Sequence, residues 1–182
     1  MKELRTPRLL LRAFQRGDLR DLYAYASDPE VGPMAGWAPH ANPEISLDVL
    51  RSFMESSEVW AIVWEENHRV IGSVGLHADD RRTAPHVRMV GYALSSKYWG
   101  RGVMTEAIGA VLEHAFTDLH LDLISAYCYG ENAQSARVLE KSNFHKDGAL
   151  RGAVRLPDGK TADLLCWSIL TEEYMLQKGE PV

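Results

Sequence analysis

A mixed α/β fold, one sheet with helices on both faces, is what this sequence predicts, on three observations. Strand-like apolar runs outnumber helical patterns. Most of them follow one another through short turns, which favours antiparallel pairing. One strand, Val87 to Leu94, instead feeds a glycine turn, a long amphipathic helical pattern and a further strand, Leu123 to Tyr129. That crossover makes those two strands parallel neighbours in a mostly antiparallel sheet of about six or seven strands. At 182 residues the chain has room for one domain, 1–182, with a sizeable core.

Each element follows from its own pattern. Leu9-Leu10-Leu11-Arg12 reads as a first strand. Asp18 opens a helix with Leu19, Leu22, Tyr23 and Ala26 at helical spacing, and Asp28-Pro29 ends it. Residues 29–43 are rich in Pro, Gly and Ala and carry Trp37. They form the longest irregular stretch, and such loops line sites. Asn42 is an N-cap and Pro43 the first position of a helix through Ile45, Val49, Leu50 and Phe53. Val59 to Trp64 and Val70 to Leu76 are strands joined by a turn at Glu66-Asn67-His68. Asp79 to Pro85 is polar and turn-rich. After the Val87 strand, a helix from Val103 to about Leu119 puts Met104, Ile108, Val111, Ala115 and Leu119 on one stripe. Asn132 starts a second helix, containing Val138 and Leu139. Two last strands, Ala149 to Leu156 and Ala162 to Leu170, meet at Pro157-Asp158-Gly159-Lys160, a hairpin signal. Thr171-Glu172-Glu173 caps a short final helix.

Composition narrows the function. A formal net charge of −5 argues against a nucleic-acid binder, which would carry a basic excess. No apolar run approaches the length of a membrane span, and Met1-Lys2-Glu3-Leu4 lacks the apolar region of a signal peptide. Cys128 and Cys166 sit in apolar runs without partners at metal-ligand spacing, and read as buried free thiols in a reducing compartment. The histidines show no metal spacing either. These features together point to the cytoplasm and to no metal.

The stretch that carries chemistry is Val90-Gly91-Tyr92-Ala93-Leu94 followed by Lys97-Tyr98-Trp99-Gly100-Arg101-Gly102. A strand feeding a glycine loop feeding a helix aims bare N–H groups at one point, where the helix dipole adds positive potential. Such a point suits a phosphate. Taken alone the motif serves equally as a tight turn, with Gly100 and Gly102 permissive and Lys97 a solvated charge. Further on, Asn132-Ala133-Gln134-Ser135 opens the helix that leads to Lys141-Ser142-Asn143-Phe144. Singly, Asn132 is an ordinary N-cap, Ser135 a first-turn polar residue and Asn143 a left-handed helix terminator.

In this order the parts resemble the GNAT superfamily of acyl-CoA N-acyltransferases. More narrowly they resemble the branch typified by the ribosomal-protein N-terminal acetyltransferases RimJ and RimL. Thr6-Pro7-Arg8-Leu9-Leu10-Leu11-Arg12 is similar to that branch's first strand. Tyr98-Trp99-Gly100-Arg101-Gly102-Val103-Met104-Thr105-Glu106-Ala107 is similar to its signature, and the resemblance runs from about Leu4 to Tyr174. It implies the GNAT fold, with the parallel central pair splayed apart, and acetyl-CoA as cofactor. The acetyl group passes to a primary amine by direct attack in a ternary complex. The acceptor implied is a protein N-terminal amine; a small amine (an antibiotic, a polyamine or an aminoacyl nucleotide) is the alternative. A monomer or homodimer fits the branch.

The resemblance also assigns residues. Backbone amides from Lys97 to Gly102, Trp99, Gly100 and Arg101 among them, with those of Val103 and Met104, clamp the cofactor pyrophosphate. Lys97 stands where the family has Arg or Gln and lacks their geometry, and Arg101 is a second cation for the phosphates. Ala93 and Leu94 pair with the pantetheine arm, which Asn132 holds from the other side. The family's helix tyrosine, donor to the leaving thiolate, is Leu139 here, so the role falls to Ser135, one turn from Asn132. The family's strand glutamate is Met89, which leaves His77, His86 and Asp163 as alternative bases. These two departures keep a third reading open, a non-catalytic acyl-CoA-binding module. Glu106 reads as a partner of the helix dipole. Trp37 is either a wall of the acceptor pocket or a core anchor of its loop, and His77 also borders the acceptor.

Overall fold

The apolar runs pair into one sheet in the computed structural model, which describes residues 1–156 and 159–179. The strands are β1 (Leu4–Arg5), β2 (Leu9–Ala13), β3 (Val59–Trp64), β4 (Arg69–His77), β5 (Val87–Leu94), β6 (Leu123–Tyr129), β7 (His145–Arg155) and β8 (Thr161–Leu170). The helices are α1 (Leu19–Ala26), α2 (Gly32–Ala35), α3 (Pro43–Glu55), α4 (Val103–Glu113), α5 (Ala133–Lys141) and α6 (Thr171–Lys178). The eight strands lie in the order β1-β2-β3-β4-β5-β6-β8-β7. Each neighbouring pair is antiparallel except β5 and β6, the parallel pair that the crossover predicts. β1 and α2 come in addition to the predicted elements, because two and four residues are too few to leave a periodic signal. Pro157 and Asp158, half of the expected last hairpin turn, lie outside the described residues.

Strand alternation sorts the side chains into two layers. Leu9, Leu11, Trp60, Ile62, Val90 and Leu94 face α4, with Leu139 of α5 and Tyr174 of α6 in the same cluster. The other face sets Ala61, Val63, Val70 and Ala93 against Leu22, Tyr25 and Ala26 of α1 and Leu50 of α3. On α4, Val103, Ile108 and Val111 are almost wholly buried. At roughly 1.5–3 kcal/mol for each such side chain, their burial outweighs the ~1 kcal/mol that Gly109 costs the helix. The α1–α3 cluster draws on β3, β4 and β5 but, among the described residues, on none from β6, β7 or β8. That half of the sheet face has no helix in its core layer.

Some details depart from expectation. The stripe on the long helix holds through Ala115, but Leu119 is 45% exposed. The helix widens into a π turn over His114–Asp118, which rotates later residues off the stripe. Cys128 is buried, whereas Cys166 is only half-buried, since it lies on β8 beside the edge strand β7. Asn42 caps α3 as predicted, its side chain accepting from the Ile45 N–H at 3.1 Å. No helix among the described residues is long and apolar enough to cross a membrane.

Candidate active site

β5 and β6 pair only at Val87 with Leu123, Arg88 with Ile124 and Met89 with Ser125. Beyond that point β6 follows β8 as far as Tyr129, and β5 follows β4 as far as Leu94. The two parallel strands therefore part, and a wedge opens between them. Its backbone edge can be read from the register. The His86 carbonyl accepts from Asp122 N–H at 2.9 Å, and Ser95 N–H donates to the Ile71 carbonyl at 2.8 Å. Alternate residues of a strand turn their N–H and C=O to opposite neighbours. Residues 90, 92 and 94 thus face the wedge, and residues 91, 93 and 95 face β4. Ala93, expected to pair with a ligand's amides, has its main chain turned to Ser73 of β4 instead. Tyr92 is the residue that takes that place beside Leu94. The Leu94 carbonyl already accepts from Trp99 Nε1 at 2.9 Å, so Trp99 props the loop that follows.

The wedge continues into a cleft of about 520 Å³. Met89 to Leu94 of β5 line it, with Gly100, Gly102 and Val103 to Thr105 at the start of α4. Gly100 and Gly102 have φ of 72° and 71°, the left-handed region that glycine enters freely, and this lets the chain fold back from the turn at Ser96–Tyr98 into the helix. Glu106 is the first α4 residue whose N–H bonds back, to the Gly102 carbonyl at 3.0 Å. The N–H groups of Val103, Met104 and Thr105 are left for another acceptor. Lys97 and Arg101 are exposed and do not line the cleft; Arg101 lies over the Tyr98 ring, 5.5 Å from its centroid. The cations that do line it are Arg137 and Lys141 of α5, which the sequence reading missed. Their spacing from Gln134, three and seven residues, puts all three on one helix face, a signal that was present.

The start of α5 forms the opposite wall. Asn132 Oδ1 accepts from the Ser135 N–H at 2.9 Å, and its Nδ2 donates to the Met34 carbonyl of α2 at 3.0 Å. Asn132 is thus an N-cap that also ties the α2 loop across the mouth of the wedge. The Ser135 hydroxyl is 2.8 Å from the Tyr92 hydroxyl. Leu139 is fully buried, so the next turn of α5 offers no donor. Burial drives the Tyr92 phenol well above its ordinary range, the bond with Ser135 offsetting this in part, so Tyr92 is a neutral O–H donor. Asn143 has φ of 61°, ends the helix in the left-handed region, and donates to Gln177.

On the α1–α3 face, His77 pairs in register with Met89, the last β5 residue in register with β6. Its imidazole covers two glycines: a Cβ on Gly75 would lie 2.8 Å from Nε2, and one on Gly91 would lie 3.3 Å from Cδ2. Of the three candidate bases none lines the cleft; His77 lies over Gly91, which does. The His86 carbonyl supports the closed end of the strand pair, and Asp163 Oδ1 accepts from Gly152 N–H at 2.8 Å. A buried cluster lies next to His77: Asp79 accepts from Ser125 at 2.5 Å and from Tyr127 at 2.9 Å. Burial opposes the Asp79 charge, but these hydroxyls, the Arg81 N–H and Arg82 outweigh it and hold the carboxyl below its ordinary range. Asp79 thereby clamps β6 at Ser125, where the strands part. Trp37 does not line the cleft. It packs over Gly32, donates to the Ala26 carbonyl at 3.3 Å, and anchors its loop.

Glu106 is more than a partner of the helix dipole. It accepts from Thr6 Oγ1 at 2.6 Å and from Arg8 Nε at 2.7 Å, while Arg8 also donates to the Arg101 carbonyl at 3.1 Å. Arg8 therefore braces the glycine loop against β2.

Comparison with known proteins agrees with this geometry. A family model described as "Acetyltransferase (GNAT) domain" matches residues 8–145. The chain is 30% identical over 179 residues to the uncharacterized N-acetyltransferase p20 of Bacillus licheniformis, covering 96% of this chain and 99% of that one. It is 23% identical over 180 residues to the [ribosomal protein uS5]-alanine N-acetyltransferase of Escherichia coli, covering 94% and 92%. Among solved structures, a GNAT-family acetyltransferase from Bacillus anthracis superposes with a TM-score of 0.86 at 24% identity, over 94% of this chain and all of that one, which bears on the fold.

Proposed function

The chain belongs to the GNAT acetyltransferase family, and we propose that the amine it acetylates is the N-terminal amine of a protein. As a family member it is an N-acetyltransferase that uses acetyl-CoA. The cleft fits that group: a slot edged by unpaired strand amides suits a pantetheine arm, and a helix start with free N–H groups suits a pyrophosphate. When bound, acetyl-CoA supplies an acetyl group activated as a thioester.

The residues then divide the work. Gly100, Gly102, Val103 and Met104 present backbone N–H groups to the phosphates, with Arg137 and Lys141 adding positive charge. Tyr92 and Leu94 offer main-chain hydrogen bonds along the wedge. Ser135 donates to sulphur as the thiolate departs. His77 borders the side from which the amine arrives and takes the proton that nitrogen sheds, directly or through a water.

One observation favours a protein acceptor. The α1–α3 layer stops at β5, and over β6 the 79–82 loop replaces it, Asp79 on Ser125 and Tyr127 and Arg82 on Asp147 of β7, so that side of the wedge is walled by a loop over which an extended chain can approach. A small amine needs an enclosing pocket for comparable contact. The homology to the uS5-alanine enzyme supports the same choice. Thiol release from acetyl-CoA, measured against short peptides with free N-termini and against polyamines and amino sugars, tests it. Peptides are expected to be turned over with the higher kcat/KM, and N-terminally blocked peptides not at all. Faster turnover of a small amine would reverse the assignment.

A further inference from the structure

We propose that Tyr92 is a positioning residue for the thiolate step: its hydroxyl donates to Ser135 Oγ and so turns the Ser135 hydrogen toward the departing sulphur. This rests on the reading of Ser135 as the thiolate's partner. The two oxygens are 2.8 Å apart, although their residues lie 43 positions apart in the chain. They come from opposite walls of the wedge, Tyr92 from β5 and Ser135 from α5. Asn132 fixes the Ser135 main chain through its N–H, and Tyr92 fixes the rotor of its side chain. A serine hydroxyl has one hydrogen and two lone pairs. When a lone pair accepts from Tyr92, the hydrogen is free to point into the wedge, and the accepted bond polarises it into a stronger donor.

The pair also accounts for Leu139. Where α5 offers a fully buried leucine, the phenol comes from the strand opposite and acts through serine. Burial raises the Cys128 thiol and keeps it neutral, with Trp167 and Ser135 offsetting this in part. In the transfer, the amine lone pair forms the C–N bond and the C–S electron pair leaves with sulphur. Nitrogen gives its proton to His77 or water. The thiolate, held by the Ser135 O–H, is protonated from solvent.

The test is a binding measurement before it is a kinetic one. Calorimetry compares CoA with desulpho-CoA, which lacks the thiol, at about pH 7 and about pH 9.5, on either side of the ordinary thiol range. The wild-type protein should favour CoA at the higher pH by about 10–100-fold, the size of a hydrogen bond to a charged group. Tyr92→Phe and Ser135→Ala should each lose most of that preference, and their double variant no more than the worse single one. Desulpho-CoA should bind all of them within about twofold, which also reports that they fold. With acetyl-CoA, Tyr92→Phe should lower kcat at least tenfold at unchanged KM, on the order of a lost acid–base group.

If Tyr92→Phe keeps the preference that Ser135→Ala loses, the pair is wrong and the Ser135 reading stands. If both variants keep it, or the wild type shows none, both readings fall. Equal losses for CoA and desulpho-CoA would make the role of Tyr92 merely structural and overturn the proposal.

Discussion

Asn132 engages both ends of its amide within the protein, one in capping α5 and one in tying down the Met34 carbonyl. Asn132→Ala should cost about 1 kcal/mol for the lost cap, seen as a fall of about 2–4 °C in Tm. A Tm unchanged by the substitution would show the cap to be idle. His77 sits over Gly75 and Gly91, and Gly91 lines the cleft. His77→Ala should lower kcat/KM for the amine roughly 10²-fold and leave CoA affinity alone, as loss of a general base would. Unchanged amine kinetics would remove it from the mechanism. At this scale the sequence is legible where a residue does something to its own backbone. Gly100, Gly102, Asn132 and Asn143 act on local geometry, and spacing reveals them. Tyr92 with Ser135, Arg8 with Glu106 and Asp79 with Ser125 were not legible, because each pair meets only through the fold and leaves no local period. Trp37 was open between two roles for the same reason, until its packing over Gly32 fixed one.

Elements are held at two junctions that decide the shape of the wedge. The first is the Glu106 brace between β2 and α4. Burial alone would raise this carboxyl, but Thr6 and Arg8 outweigh it and hold it below its ordinary range. The charged form is thus favoured in the folded state. Its stabilisation is complete above the ordinary carboxylate range and is lost as pH falls below that range through the depressed value. Thermal unfolding of Glu106→Gln should therefore fall less between pH 7 and about pH 4 than that of the wild type. An equal fall would show that the brace carries no pH-dependent stability. The second junction is Gly72, opposite Leu94 at the open end of the wedge. A Cβ there would lie 2.3 Å from the Ala93 carbonyl oxygen and 3.1 Å from Leu94 Cα, backbone atoms that cannot swing aside. Gly72→Ala should destabilise by at least the ~1–3 kcal/mol of an overpacked core and lower Tm by several degrees. A Tm within a degree or so of the wild type would contradict this packing. Strand and helix limits near the site were readable to the residue, as for β5, β6 and the start of α4, since short apolar runs meet turn residues there. The π turn was not, because nothing in the His114–Asp118 segment breaks the helical period in advance.

For the molecule as a whole, the crossover from β5 through α4 to β6 is written in the sequence, and the parallel pair follows from it. The splay is not. It arises because β6 stays with β8 as far as Tyr129 while β5 stays with β4 as far as Leu94, two choices made by the outer strands. Family resemblance implied the splay where periodicity was silent. It also implied Ala93 as a pairing residue, and only the register corrects this to Tyr92. Function rests on that opening: the strand edge, the start of α4 and the cap of α5 all face it. Amide hydrogen exchange with and without CoA reads it most directly. CoA should slow exchange at Tyr92, Leu94, Val103, Met104 and Thr105 and leave the amides of β7 as they were. Protection confined to other parts of the sheet, with those five amides unchanged, would contradict it.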